Sequence, residues 1–216
     1  MPRRLRWFLL ALLGATPPWT ALQSQVVSLS AEQVSTSREK GLGTLRGGQL
    51  LVASRSLAGR ANLRAGLSHA RGTVGMTGTL CSGLVYPGSC PDEPIRERKT
   101  LTILQVGVGL TAMRSQAAEV QVYTDLLAGN ARLRDRGLNT GGTNSASNAL
   151  VGGRLGANLR WWPSLRTPIG TTFGVAADFI RVLDITSCAD CWTPNYGDVM
   201  TGARFELGIV LAGRRK

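Results

Sequence analysis

The stretch LQVGVGLTA, residues 104–112, sets Leu104, Val106, Val108, Leu110 and Ala112 on one face of an extended chain. Gln105, Gly107, Gly109 and Thr111 lie on the other. Alternation with period two belongs to a β-strand, and it recurs along the chain while helical periodicity is almost absent. Residues 118–128 place Val120, Val122, Leu126 and Ala128 against Glu119, Gln121, Tyr123 and Asp125. Residues 153–161 place Leu155, Ala157, Leu159 and Trp161 against Arg154, Gly156, Asn158 and Arg160. Residues 169–179 place Phe173, Val175, Ala177 and Phe179 against Gly170, Thr172, Gly174 and Asp178. Residues 203–211 place Phe205, Leu207, Ile209 and Leu211 against Arg204, Glu206 and Gly208. Earlier segments are weaker: 26–32 and 61–70 alternate, while 49–57 has no clean phase and is assigned as a strand because its neighbours need one. The expectation is eight strands.

The connections carry an independent signal. Short ones surround Gly59–Arg60 and occupy 113–116 and 162–167; long ones occupy 37–47, 72–99, 130–148 and 185–197. Their alternation fits an up-and-down barrel crossing an outer membrane. A soluble ligand-binding barrel would show the same alternation with its faces exchanged. Glycine decides between them. Gly107, Gly109, Gly156, Gly170, Gly174 and Gly208 all fall on the polar face, beside a few long charged residues. Glycine weakens a strand unless another group must come close, so this face is the crowded inside of a narrow barrel. The apolar face then points outward, where lipid accepts it. The predicted fold class is all-β, an eight-stranded antiparallel up-and-down transmembrane β-barrel.

The inward face carries charges of both signs: Glu32, Glu119, Asp125, Asp178 and Glu206 against Arg64, Arg154, Arg160 and Arg204. An unpaired buried charge costs several kcal/mol, so these nine residues are expected to pair with one another in a filled lumen.

The first 24 residues are assigned as a signal peptide, with Arg3, Arg4 and Arg6 before the short apolar run of residues 8–15. Residues 25–216 form the barrel domain. No later stretch approaches the ~18 consecutive apolar residues of a membrane-spanning helix. The formal net charge of +12 points to anionic lipid rather than nucleic acid in an exported chain. Cys81, Cys90, Cys188 and Cys191 allow three pairings; the local pairs Cys81–Cys90 and Cys188–Cys191 are expected as disulfides stapling external loops. Cys188 and Cys191 form a CADC motif, but it lies between strands and not at a helix start, which argues against redox catalysis.

His69 is the only histidine, and its neighbour Ser68 must point to the opposite face, so the two make a poor catalytic pair. Arg132, Arg134 and Arg136 share one face of an extension beyond the membrane, where lipopolysaccharide phosphates or an external acidic ligand would meet them.

The chain resembles the small eight-stranded outer-membrane β-barrels of Gram-negative bacteria, the OmpA-like and OmpX-like barrels. The resemblance rests on the signal peptide, the eight amphipathic strands, the loop alternation and the closing strand GARFELGIVLAG. It departs from that family's usual aromatic last residue by ending in LAGRRK, and its expected aromatic girdle is thin, with Trp161 and Trp162 at the periplasmic end and Trp192 and Tyr196 outside. The resemblance implies a cell outer-membrane location and a monomer holding no cofactor or metal. Lipid and lipopolysaccharide would be its surroundings, and an external ligand would bind its loops. The function expected is structural or interactive, in adhesion or envelope integrity. The alternatives are a lipid-modifying enzyme, a narrow channel and a soluble secreted barrel.

Overall fold

The computed structural model describes residues 25–36, 42–54, 60–78, 93–139, 141, 143–164, 167–183 and 199–212. The signal-peptide segment and all four cysteines lie outside the described residues, as do Trp192 and Tyr196. Eight strands form: β1 Gln25–Thr36, β2 Thr44–Ser54, β3 Ala61–Gly78, β4 Glu93–Arg114, β5 Ala118–Gly137, β6 Thr143–Trp161, β7 Ile169–Leu183 and β8 Val199–Ala212. Each pairs antiparallel with the next, and β1 pairs with β8 from Val26↔Ala212 to Thr36↔Gly202, closing the barrel. Closure leaves no free strand edge, the condition for a sheet to stand in hydrocarbon.

An apolar girdle runs round the outside. On β6 the outward positions Val151, Gly153, Leu155, Ala157, Leu159 and Trp161 carry no charge. Ten residue steps at about 3.4 Å, tilted about 40°, give roughly 26 Å along the barrel axis, the height of a membrane's apolar band. Leu126, in the upper half of that band on β5, is 76% exposed. Water would not tolerate so continuous an apolar belt on a monomer.

Two sequence expectations are corrected. The connections do not alternate strictly in length. Much of 72–99 and 130–148 is strand, leaving 79–92 between β3 and β4 and only 138–142 between β5 and β6. Likewise β2 covers 44–54 rather than 49–57. The cause is an inversion of phase. Beyond the girdle, toward the long connections, the outer surface meets water and the lumen becomes an ordinary core. There Arg132, Arg134 and Arg136 face outward, while Ala131 and Leu133 face inward. Leu101 and Ile103 on β4 do the same, and with Val34, Leu42, Leu45, Leu150, Ile180 and Met200 they form an apolar cap inside that end of the barrel.

The second correction concerns Trp162. Only Trp161 joins an outer aromatic girdle at the short-turn end; Trp162 is 3% exposed and packs inside with Val210 and Val26. Gly170 makes that possible, because a Cβ there would meet the indole at 2.8 Å.

The luminal charge network and the outer arginine face

Below the apolar cap, the lumen is filled by side chains that the alternating strands deliver to one interior. Arg204 on β8 is fully buried and bridges two strands: its guanidinium donates to Glu32 of β1, and to Asp178 Oδ2 of β7 at 2.9 and 3.2 Å. Arg154 on β6 meets the same Asp178 in a two-pronged pair at 2.6 and 3.2 Å and donates to Gln105 on β4. With its amide nitrogen turned to Glu206, Gln49 donates to both carboxylate oxygens at 3.0 and 3.2 Å, and its oxygen accepts from Gln105 at 2.8 Å. One chain of contacts therefore joins β1, β2, β4, β6, β7 and β8.

Two further groups sit in the same lumen. Arg64 on β3 pairs with Asp125 at 2.9 Å and lies 3.5 Å from the centre of the Tyr123 ring. Such a cation over an aromatic face gains from the ring quadrupole, most when desolvated. Nearer the short turns, Glu119 receives Arg160 at 3.4 Å and Arg114 at 3.0 Å, and Arg160 also donates to Gln121 at 3.1 Å. The structure thus brings all nine sequence-predicted residues into the lumen, eight of them in direct ion pairs and Glu206 through Gln49.

The glycines of LQVGVGLTA now have a physical reason. Gly109 faces inward, where a Cβ would stand 2.7 Å from both Asn62 and the Gln121 amide; Gly107 lies opposite Asp125. On β6, a Cβ at Gly156 would meet the Tyr123 ring at 2.5 Å. Small residues clear the space that long buried ones occupy. That complementarity is why a face so poor in side-chain mass on one strand can line a packed interior.

Above the cap, Glu97 and Asp135 face each other inward across β4 and β5, with Lys99 3.0 Å from Glu97. Burial, helped by the facing Glu97 carboxylate, raises the Asp135 pKa above its ordinary 3.8, and Lys99 only partly opposes it. The folded chain then binds this proton more tightly than the unfolded one, so the group lowers stability as pH rises through the interval between the two values. Asp135→Asn is expected to stabilise the barrel at pH 7, with the gain vanishing below the ordinary carboxylate value. Urea unfolding of the vesicle-inserted protein at the two pH values checks the sign.

His69 and Ser68 stand on opposite faces. Ser68 Oγ points into the lumen, 3.4 Å from Arg204, while His69 lies outside, with Nδ1 2.9 Å from Thr102 Oγ1 and Nε2 accepting from Arg71 Nε at 2.9 Å. Arg71 belongs to a basic face that sequence reading caught only in part. Arg132, Arg134 and Arg136 were legible as a row; the register adds Arg46 opposite Arg71, Arg98 opposite Arg134 and Arg96 opposite Arg136. The signal available in the sequence was IRERK, whose alternation continues β4 in the same phase as its lipid-facing residues.

No family model matches the sequence, and no curated protein matches it. Among solved structures, Neisserial surface protein A superposes with a TM-score of 0.52 at 12% identity, covering 87% of this chain and 96% of that one. A major outer membrane protein from Thermus thermophilus superposes at 0.50 and 15% identity, covering 86% and 98%. The chain has the fold of the small outer-membrane β-barrels. At these identities the likeness is one of architecture. The girdle and the closed sheet supply the physical reason why a barrel of this fold can stand in lipid.

Proposed function

We propose that this protein is a non-conducting structural and interaction barrel of the outer membrane, exported with residues 1–24 removed. It stands as a monomer with its short turns toward the periplasm. It carries its long connections outside, where Cys81–Cys90 and Cys188–Cys191 disulfides restrict loops that engage external ligands in adhesion or envelope integrity. The observation that carries this reading is the double closure of the lumen. An ion-paired layer with Arg204 fully buried lies below an apolar cap of Leu101, Ile103, Ala131 and their neighbours. Eight strands enclose little more than the room side chains need. Ions crossing it would have to displace paired charges and then enter an apolar layer.

The experiment is planar-bilayer recording of the refolded chain, with unboiled gel mobility verifying the fold. No unitary conductance is expected. Regular channel openings from heat-modifiable protein would replace this reading with that of a narrow pore. A deletion strain supplies the second readout: sensitivity to detergents or lost surface attachment fits the reading, whereas an altered lipid A mass spectrum would make the protein an enzyme.

A further inference from the structure

Among the described residues, the outer faces of β2–β5 above the girdle carry seven arginines, and no carboxylate faces them. Glu97 and Asp135, the carboxylates at this level, both point into the lumen. Cross-strand register sets like charges directly against each other at Arg46↔Arg71, Arg98↔Arg134 and Arg96↔Arg136. Opposed like charges destabilise a sheet, so this arrangement works against the fold unless an anion supplies the missing sign. The structure holds one of these groups in place: Arg71 donates to His69, which is itself anchored on Thr102.

The position of the cluster identifies the anion. On each of the four strands the outward positions pass from apolar, through one or two polar or glycine residues, to arginine. β2 runs Leu50, Gly48, Arg46; β3 runs Leu67, His69, Arg71; β4 runs Leu104, Thr102, Thr100, Arg98; β5 runs Ala128, Asn130, Arg132. On β3 and β5 four residue steps separate the last apolar position from the first guanidinium, about 14 Å along the strand and roughly 10 Å along the membrane normal. A molecule with acyl chains against Leu67, Leu104 and Leu126 would carry its head group at the arginines. Beside Arg96, a shallow concavity of about 440 Å³ is lined by Thr73, Gly75, Thr77, Pro94, Ile95 and Leu138, so two hydroxyl groups and open space stand next to the charge on an otherwise apolar floor. Guanidinium groups bind phosphate oxygens in pairs, and hydroxyl groups beside them suit a sugar.

We propose that this face is a binding site for the phosphorylated sugar head group of an outer-leaflet glycolipid, with the phosphates on Arg98, Arg132 and Arg134 and a sugar beside Arg96. The site rests on the outward orientation given above for the long connections, and it turns an unfavourable charge cluster into an annular-lipid anchor.

The test uses the detergent-refolded chain and two probes, purified lipopolysaccharide and the same material enzymatically dephosphorylated. Retention through size-exclusion chromatography and a binding titration are the readouts. Phosphorylated material should bind and dephosphorylated material should not. The triple variant Arg98→Gln/Arg132→Gln/Arg134→Gln should weaken binding on the order of a hundredfold. The matching lysine triple, which keeps the charge but loses the paired contacts, should fall between the natural chain and the glutamine triple, and both variants should retain the unboiled gel shift. Equal binding of the two probes would overturn the proposal, as would a soluble polysulfate binding while lipopolysaccharide does not. If the glutamine triple fails to refold, the two-probe comparison on the natural sequence still decides. Loss of the gel shift in the natural sequence would instead count against the barrel reading itself.

Discussion

Arg204→Met is expected to destabilise the barrel by about 3–5 kcal/mol, the cost of removing one partner from a buried charge cluster. Arg204 is wholly buried and donates to both Glu32 and Asp178. Methionine fills similar volume, so the effect measures charge and not a cavity. It leaves Glu32 facing Glu206 across the β1–β8 seam, where the register pairs them directly. Asp178 keeps Arg154 as a partner, so Glu32 carries most of the penalty. Arg204→Met/Glu32→Gln is therefore expected to recover a large share of the loss, because a neutral amide is far cheaper to bury than a lone carboxylate. Urea unfolding in vesicles, followed by unboiled gel mobility, gives both numbers. A loss below about 1 kcal/mol would place the pair in the range of solvated ion pairs. The lumen would then be wet, and the case for a closed barrel would fall with it.

That network also shows which parts of the molecule the sequence discloses. Within the girdle one face must be apolar and the other must clear room for long side chains, so the face of Arg154, Asp178 or Glu206 follows from counting residues by two. Their partners do not follow. Arg154 and Asp178 are directly opposed in the β6–β7 register, but Arg64 reaches Asp125 across β4, where Gly107 stands between them in the ladder. Such a reach across an intervening strand depends on the register of three strands together, which no single strand's pattern encodes. Beyond the girdle the reading failed for a different reason. The pattern of residues 130–136 is as regular as that of 118–128, but the solvent outside has changed from lipid to water. The inward residues become Ala131 and Leu133, and the outward ones arginine. Judged by the rule that holds in lipid, such a segment looks like a loop. Asking where the alternation keeps its period but exchanges its faces would have found the upper halves of β3–β6, and with them the basic face.

The same boundary predicts opposite tolerances on one face of one strand. Leu126→Arg, inside the girdle and one outward position below its last apolar residue Ala128, is expected to cost about 1–3 kcal/mol, between the values for arginine at the interface and at the bilayer midplane of such barrels. Arg134→Leu, eight residues further along the same outward row, should change stability within about 0.5 kcal/mol, as a substitution at a solvated surface does. Removing one of two opposed guanidinium groups could even make the second change favourable, since Arg134 faces Arg98 directly. The contrast is diagnostic because both residues are exposed in the isolated chain, and exposure alone would treat Leu126→Arg as harmless. Only lipid around Leu126 makes it expensive. Unfolding free energies of the two variants in vesicles supply the measurement. If Leu126→Arg proved neutral and the chain refolded without detergent or lipid, water would be its natural surroundings, and the apolar belt would have to be covered by another protein. A penalty confined to Leu126 would instead locate the upper edge of the membrane between the two positions, just where Asn130 gives way to Arg132.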